Sequence, residues 1–296
     1  CMAVGILAAV LNFVYVKLPS SDVYVHAHIL EEGRFDEVSY PLWHYTVALF
    51  YNGFNLSLDN ATIAACSFYG ILFAAIIWIF MYLRLSKAYS LWVIDIMPFL
   101  LCIVQPLYLK IILPFMDIGR SSTNPHHNPT QNAMRPMALA ATIFTIALWT
   151  TSKEEFFEIK RKKINKKLCY RILLAVLVLL SVLAKPSFAQ IYYFAFVLVL
   201  GIRFIKSKGK ALKECIYDGL CLVPSCIPFL STYFTYFGNS ASEQSEPLGI
   251  SFLEVWSIYT DSVPLSILAA LAFCIVAAIF LGRHIWQYKA VIFSWL

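Results

Sequence analysis

Long apolar runs separated by short polar stretches set the plan of this chain. Runs of about the 20 residues needed to cross a bilayer fall at roughly 1–18, 61–83, 91–113, 134–151, 215–236 and 263–282. A further stretch, 172–205, is apolar but broken by Lys185-Pro186, and reads as two short helices forming a hairpin. Segment 42–56, at about 15 residues, is short for a crossing. It mixes Trp43, His44, Tyr45 and Tyr51 with aliphatic positions, which predicts an amphipathic helix lying in the membrane interface. The expected fold is all-α: a polytopic transmembrane helix bundle with about eight or nine membrane helices, plus that interfacial helix. The whole of 1–296 reads as a single transmembrane domain. Residue 1 already lies inside an apolar run, and Val291 to Leu296 look like the start of another span. The chain is therefore read as a fragment, truncated at both ends.

Composition agrees with a membrane protein. Hydrophobic residues make up 60% of the chain and charged residues only 14%, against about 25% charged in a soluble domain. The eight cysteines lie in apolar runs or at basic flanks, and no CxxC occurs. That argues against both a disulfide framework and structural zinc. The net charge of +6 comes from basic loops that carry topology, so it does not point to nucleic acid.

Those loops segregate by sign. Segment 153–171 holds Lys153, Lys160, Arg161, Lys162, Lys163, Lys166, Lys167 and Arg171, and segment 203–213 holds five basic residues and no acid. Both belong in the cytoplasm by the excess of Lys and Arg on that side. Segments 19–41 and 238–262 are acidic and belong outside. Parity then places 19–60, 114–133 and 237–262 outside, and 42–56 does not cross.

Five of the six histidines fall in or beside two of these outer segments. Asp22, a few residues past the first span, is the first candidate. A carboxylate there can accept a proton from a substrate hydroxyl. It can equally cap a helix over 23–32, as Ser21 can. His26 lies four residues on and shares a helical face with Asp22, so the two can act as base and orienter or as two ligands of one metal. In the second segment, Asn124-Pro125 and Asn128-Pro129 make a rigid, turn-rich stretch, to which His126, His127 and Asn128 add donors. Arg135 follows at the start of the next span. It suits a phosphate, which it can bind bidentately, or anchors to headgroups. Lys185 sits amid apolar residues at the hairpin tip, where it can hold a lipid phosphate or snorkel to the headgroups. No metal-binding motif occurs in the outer segments, so no ligand set is assigned and the cofactor is left open. His26, His28, His126 and His127 can supply nitrogen ligands if the loops meet.

Together these residues form a recognisable layout. An acidic residue follows the first span. An outer loop ends in Pro41-Leu42-Trp43 and an amphipathic helix, a span closes with Arg84, and a short hairpin is interrupted by Lys185-Pro186. This resembles the GT-C superfamily of integral-membrane glycosyltransferases, which includes the protein mannosyltransferases and aminoarabinose transferases. The resemblance implies transfer of a sugar from a polyprenyl-phosphate-linked donor to an acceptor at the outer face. It also implies Asp22 as base, with Lys185 and Arg135 on the phosphate. The family's usual second acidic residue beside the first is missing, and Asn124 to Thr130 matches no family signature, so the subfamily, sugar and acceptor stay open.

Other classes fit part of the pattern. A transporter or flippase of lipid-linked sugars would also carry a buried lysine and broken helices, with ionisable residues at the midplane. Here they cluster at the outer boundary, apart from Asp95. A polysaccharide polymerase or ligase shares the chemistry and adds a large outer loop late in the chain. The expected partners are a lipid-linked sugar donor, an acceptor and membrane lipids, and no nucleic acid.

Overall fold

The structure is a computed structural model. It describes residues 1–19, 21–34, 38–103, 128–152, 155–159, 162–237, 257, 262–288 and 292–293. The described residues are helical almost throughout. In order come α1 (Met2–Tyr15), α2 (Asp22–Glu31), α3 (Leu42–Gly53), α4 (Leu58–Leu85), α5 (Leu91–Ile103) and α6 (Pro129–Thr150). A small hairpin, β1 (Phe156–Ile159) and β2 (Lys162–Asn165), then leads into α7 (Lys166–Ala184), α8 (Ser187–Lys206), α9 (Leu212–Gly219) and α10 (Val223–Phe237). Two further helices cover Val263–Ala270 and Ala272–Leu281.

Among the described residues, five segments are long and apolar enough to cross a membrane: Leu58–Leu85, Pro129–Thr150, Lys166–Ala184, Ser187–Lys206 and Leu212–Phe234. Shorter apolar helices cover Met2–Tyr15, Leu91–Cys102 and Cys274–Gln287. This is an all-α membrane bundle among the described residues, with five helical segments of full spanning length and three shorter apolar helices where eight or nine membrane helices were expected. The hairpin 172–205 also differs from expectation. Its arms, α7 and α8, have 19 and 20 residues, so each is itself a candidate span. The 215–236 run is not one helix. It divides into α9, a 3-10 turn over Leu220–Leu222 and α10. Pro224 sits in the first turn of α10, where the missing N–H costs nothing and the fixed φ suits a helix start.

Local signals explain the boundaries. Ser57 caps α4 by accepting from the Asn60 N–H at 3.4 Å. Asp59 in the first turn and Arg84 in the last complement the helix dipole. Helix α1 packs on α4 through small residues. A Cβ on Gly5 would meet Ile71 Cδ1 at 2.6 Å, and one on Gly70 would meet the Ala8 Cβ at 3.4 Å. Small residues of this kind let membrane helices approach closely when no hydrophobic effect drives them together. One core cluster joins α3, α4, α6 and the end of α7 through Trp43, Val47, Ala61, Tyr69, Ala133 and Ala184. A second joins α6, α7 and α8 through Leu148, Leu174, Val178 and Phe196.

The β-hairpin was not expected in an all-α chain. Its strands pair antiparallel, with Phe157 opposite Ile164 and Glu158 opposite Lys163. The Glu158 carboxylate lies 3.9 Å from Lys163 Nζ. Pairs of this kind, apolar on one face and oppositely charged on the other, stabilise a two-stranded ribbon. Asn165 closes the hairpin by capping α7, accepting from the Leu168 N–H at 3.1 Å.

An ion network holds the start of α7 to α8 and α9. Arg171 donates from Nε and Nη2 to Asp218 Oδ1 at 2.9 and 2.8 Å, and from Nη2 to Glu214 Oε2 at 2.8 Å. Arg203 of α8 donates to the other oxygen of Asp218 at 2.9 Å. Asp218 is only 1% exposed, so two guanidinium groups hold a carboxylate away from water.

Candidate functional site

The other end of α7 carries the second polar assembly. Its corners are set by residues that precede prolines. Asn128 precedes Pro129 and Lys185 precedes Pro186, and a pre-proline residue is pushed out of the helical region into extended backbone. Asn128 has φ −112° and ψ 107°, and Lys185 has φ −168° and ψ 127°. Each therefore stands at a helix end rather than inside a helix. Asn128 caps α6, its Oδ1 accepting from the Gln131 N–H and from Thr130 Oγ1, both at 2.9 Å.

The Asn128 side-chain amide does a second job. Its Nδ2 donates to Asp22 Oδ2 at 2.6 Å. This bond spans 106 residues of sequence and ties the first polar segment to the start of α6. Asp22 is the first residue of α2, but Ser21 is the cap, accepting from the Val23 N–H at 3.1 Å. So the cap role considered for Asp22 belongs to Ser21, and the Asp22 carboxylate is turned to Asn128.

One turn on, His26 meets a residue of α3. Its Nδ1 lies 3.1 Å from Nε2 of His44, with the rings edge to face at a centroid separation of 5.0 Å. Trp43 packs edge-on against His44 at 5.0 Å and lies 5.9 Å from His26. His44 is fully buried. Burial pushes the His26 imidazole down to about 4, with Asp22 opposing the shift and Lys185 adding to it. Burial likewise pushes His44 down to about 3, helped by His26. Both rings are neutral near pH 7. Burial also lowers the Lys185 ammonium, and Asp22 raises it. Asp22, His26 and Lys185 thus lie within electrostatic reach of one another, on α2 and at the α7–α8 corner.

The other candidates fall elsewhere. His126 and His127 lie outside the described residues. Arg135 is expected at the helix boundary, but α6 begins at Pro129, earlier than the apolar run. Arg135 therefore sits two turns in, about 10 Å along the axis from Asn128. Its guanidinium lies 4.3 Å over the Phe73 ring of α4. His28 turns away from the site. Its Nδ1 is 3.1 Å from the Tyr24 carbonyl, its ring lies tilted over Tyr24 at a centroid separation of 3.9 Å, and its Nε2 is 3.7 Å from Glu31. No group of three or more metal-capable side chains occurs among the described residues.

His44 is the site residue that the sequence reading passed over. The signal was present: Trp43, His44 and Val47 form the buried face of α3, so a histidine lies on the inward side of an interfacial helix.

A groove of about 530 Å³ lies alongside, lined by residues that include Leu30, Glu31, Val47, Tyr51, Asn52 and Ser57. It is open and mixes apolar and polar walls, and it begins at the far end of α2 from Asp22.

No family model, no curated protein and no solved structure matches this chain. What the fold and site define is a helical membrane protein with a carboxylate, an amide, two neutral imidazoles and an ammonium gathered at one end of the bundle.

Proposed function

We propose that this chain is a membrane glycosyltransferase of the GT-C kind, moving a sugar from a polyprenyl-phosphate-linked donor to an acceptor at the outer face. The observation that carries the reading is the 2.6 Å bond from Asn128 to Asp22. It fixes one carboxylate oxygen and so orients the group, as a general base requires. In this reading Asp22 takes the acceptor's hydroxyl proton, and Lys185 beside it meets the donor's phosphate. Arg135, deeper in α6, meets the lipid side of the donor, since a charge inside a span calls for an anionic or protein partner. Loops 153–171 and 203–213 would lie in the cytoplasm, and 19–60, 114–133 and 237–262 outside.

The test is sugar transfer from a polyprenyl-phosphate donor by purified protein in nanodiscs. Asp22→Asn should lower turnover by roughly 10²–10⁴-fold while the protein stays folded, because Ser21 keeps the helix cap. Lys185→Ala should weaken donor binding instead. Full transfer by the Asp22→Asn variant would remove Asp22 as base.

A second reading, a transporter of lipid-linked sugars, draws on Arg135 stacked over Phe73 within a candidate span. It predicts movement of an intact lipid-linked sugar between leaflets, blocked by Arg135→Gln, with no sugar released.

A further inference from the structure

The contact between His26 and His44 has a chemical consequence for His26. A neutral imidazole carries one N–H and one bare nitrogen. Two such rings meeting nitrogen to nitrogen at 3.1 Å must share a single proton between those atoms. Two protons would collide, and none would set two lone pairs against each other. The tautomers of the two rings are therefore tied together. Burial keeps both rings neutral near pH 7, so neither escapes the tie by taking a second proton.

The surroundings choose the direction. Asp22 stands one turn before His26 on the same face of α2, and a helical side chain leans back toward the N-terminus, over that carboxylate. The field of a carboxylate favours a hydrogen-bearing nitrogen over a bare one on the ring beside it. Nδ1 of His26 is already taken up by His44, so the nitrogen that answers the carboxylate is Nε2. Trp43 packs edge-on against the fully buried His44 ring.

We propose that His44 is a positioning residue: by donating its Nε2–H to Nδ1 of His26, it holds His26 as the Nε2–H tautomer, a fixed donor on the Asp22 side of the site. What this donor does for transfer rests on the reading of Asp22 as base, which it would help to orient. The tautomer itself does not rest on that reading.

The experiment is solid-state NMR of protein labelled with ¹⁵N-histidine in nanodiscs at pH 7, with His26 assigned from a His26→Gln variant. His26 should show a protonated Nε2 and a bare, hydrogen-bonded Nδ1. His44→Phe removes the donor, and a tautomer preference of about tenfold, the size expected from one hydrogen bond, should collapse toward an even mixture. His44→Gln, whose amide can donate to the same nitrogen, should restore it. A His26 protonated at Nδ1 in the unaltered protein overturns the proposal, whether or not the variants fold. So does a preference that survives in folded His44→Phe. Because the signal needs no turnover, a locked His26 together with full transfer by Asp22→Asn would leave this proposal standing and sink the catalytic one.

Discussion

Asn128→Asp separates the two jobs of one side chain. Asp caps a helix about as well as Asn, so α6 keeps its start and the fold survives. The change at Asp22 is severe. In place of an amide N–H 2.6 Å from the carboxylate, a second carboxylate faces it. With the charges about 4 Å apart and an effective dielectric of about 20, the repulsion is about 4 kcal/mol. Two carboxyl groups so placed retain a shared proton well above the pH at which a lone one has lost it. Infrared difference spectroscopy across a pH titration reads this directly, as a protonated-carboxyl band absent from the parent protein. The same variant should lose sugar transfer near neutral pH and regain part of it at alkaline pH. Asn128→Ala gives the contrast. It removes the cap as well, at about 0.5–2 kcal/mol, and lowers thermal stability without creating the new band. If Asn128→Asp shows neither the band nor a pH shift, the two side chains do not meet as described and the joint site fails.

Three further outcomes follow from the geometry. Asp218→Ala strips a buried carboxylate from Arg171 and Arg203, and breaking such a pair costs about 3–5 kcal/mol. Chemical unfolding in detergent should show it, and a cycle with Arg203→Ala should be non-additive by more than about 0.5 kcal/mol. Stability should also depend on pH through His26 and His44. The unfolded chain takes up protons below its ordinary histidine value of 6.5, whereas the folded rings refuse them until about 4 and about 3. The contribution is therefore complete above 6.5 and lost as pH falls, and a melting series from pH 7.5 to 5 should flatten in a His26→Gln, His44→Gln double variant. Finally, cysteines introduced at Glu32 and Lys163, read against the unaltered protein as background, should label from opposite sides of the membrane. Labelling from one side would overturn the proposed topology.

The membrane class was legible because it needs only run length and charge density. Helix α3 was legible for the same reason, since 42–56 is short and amphipathic. What escaped were features that depend on partners distant in sequence. Glu214 and Asp218 flank or interrupt an apolar run and look like solvent-facing charges. They become a buried network only when Arg171 and Arg203 arrive from other helices. The hairpin at 156–165 escaped because four-residue strands carry too few alternations to stand out within a basic loop. Arg135 falls two turns inside α6 because the helix starts earlier than the hydropathy of 134–151 indicates. It is set instead by Asn128 and Pro129, which can start a helix before its residues turn apolar.

The site itself shows how far a local rule reaches. Three of its residues stand beside prolines or at helix starts: Asn128 before Pro129, Lys185 before Pro186, and Asp22 just after the Ser21 cap. Each rule fixes where a helix begins or ends, and so which polar side chain is left at its corner. None says that the three corners meet. That is decided by α6 and α7 packing together, with Ala133 of α6 and Ala184 of α7 both buried in the cluster that also holds Trp43. Ser187, two residues past Lys185, meets Met134 of α6 with its Oγ 3.6 Å from Sδ, and the Asn128–Asp22 bond brings in α2. A bulkier residue at Ala133 or Ala184 would press these corners apart without touching a polar atom. The polar site therefore depends on apolar packing one turn away, and a residue-by-residue search for catalytic groups would overlook those alanines.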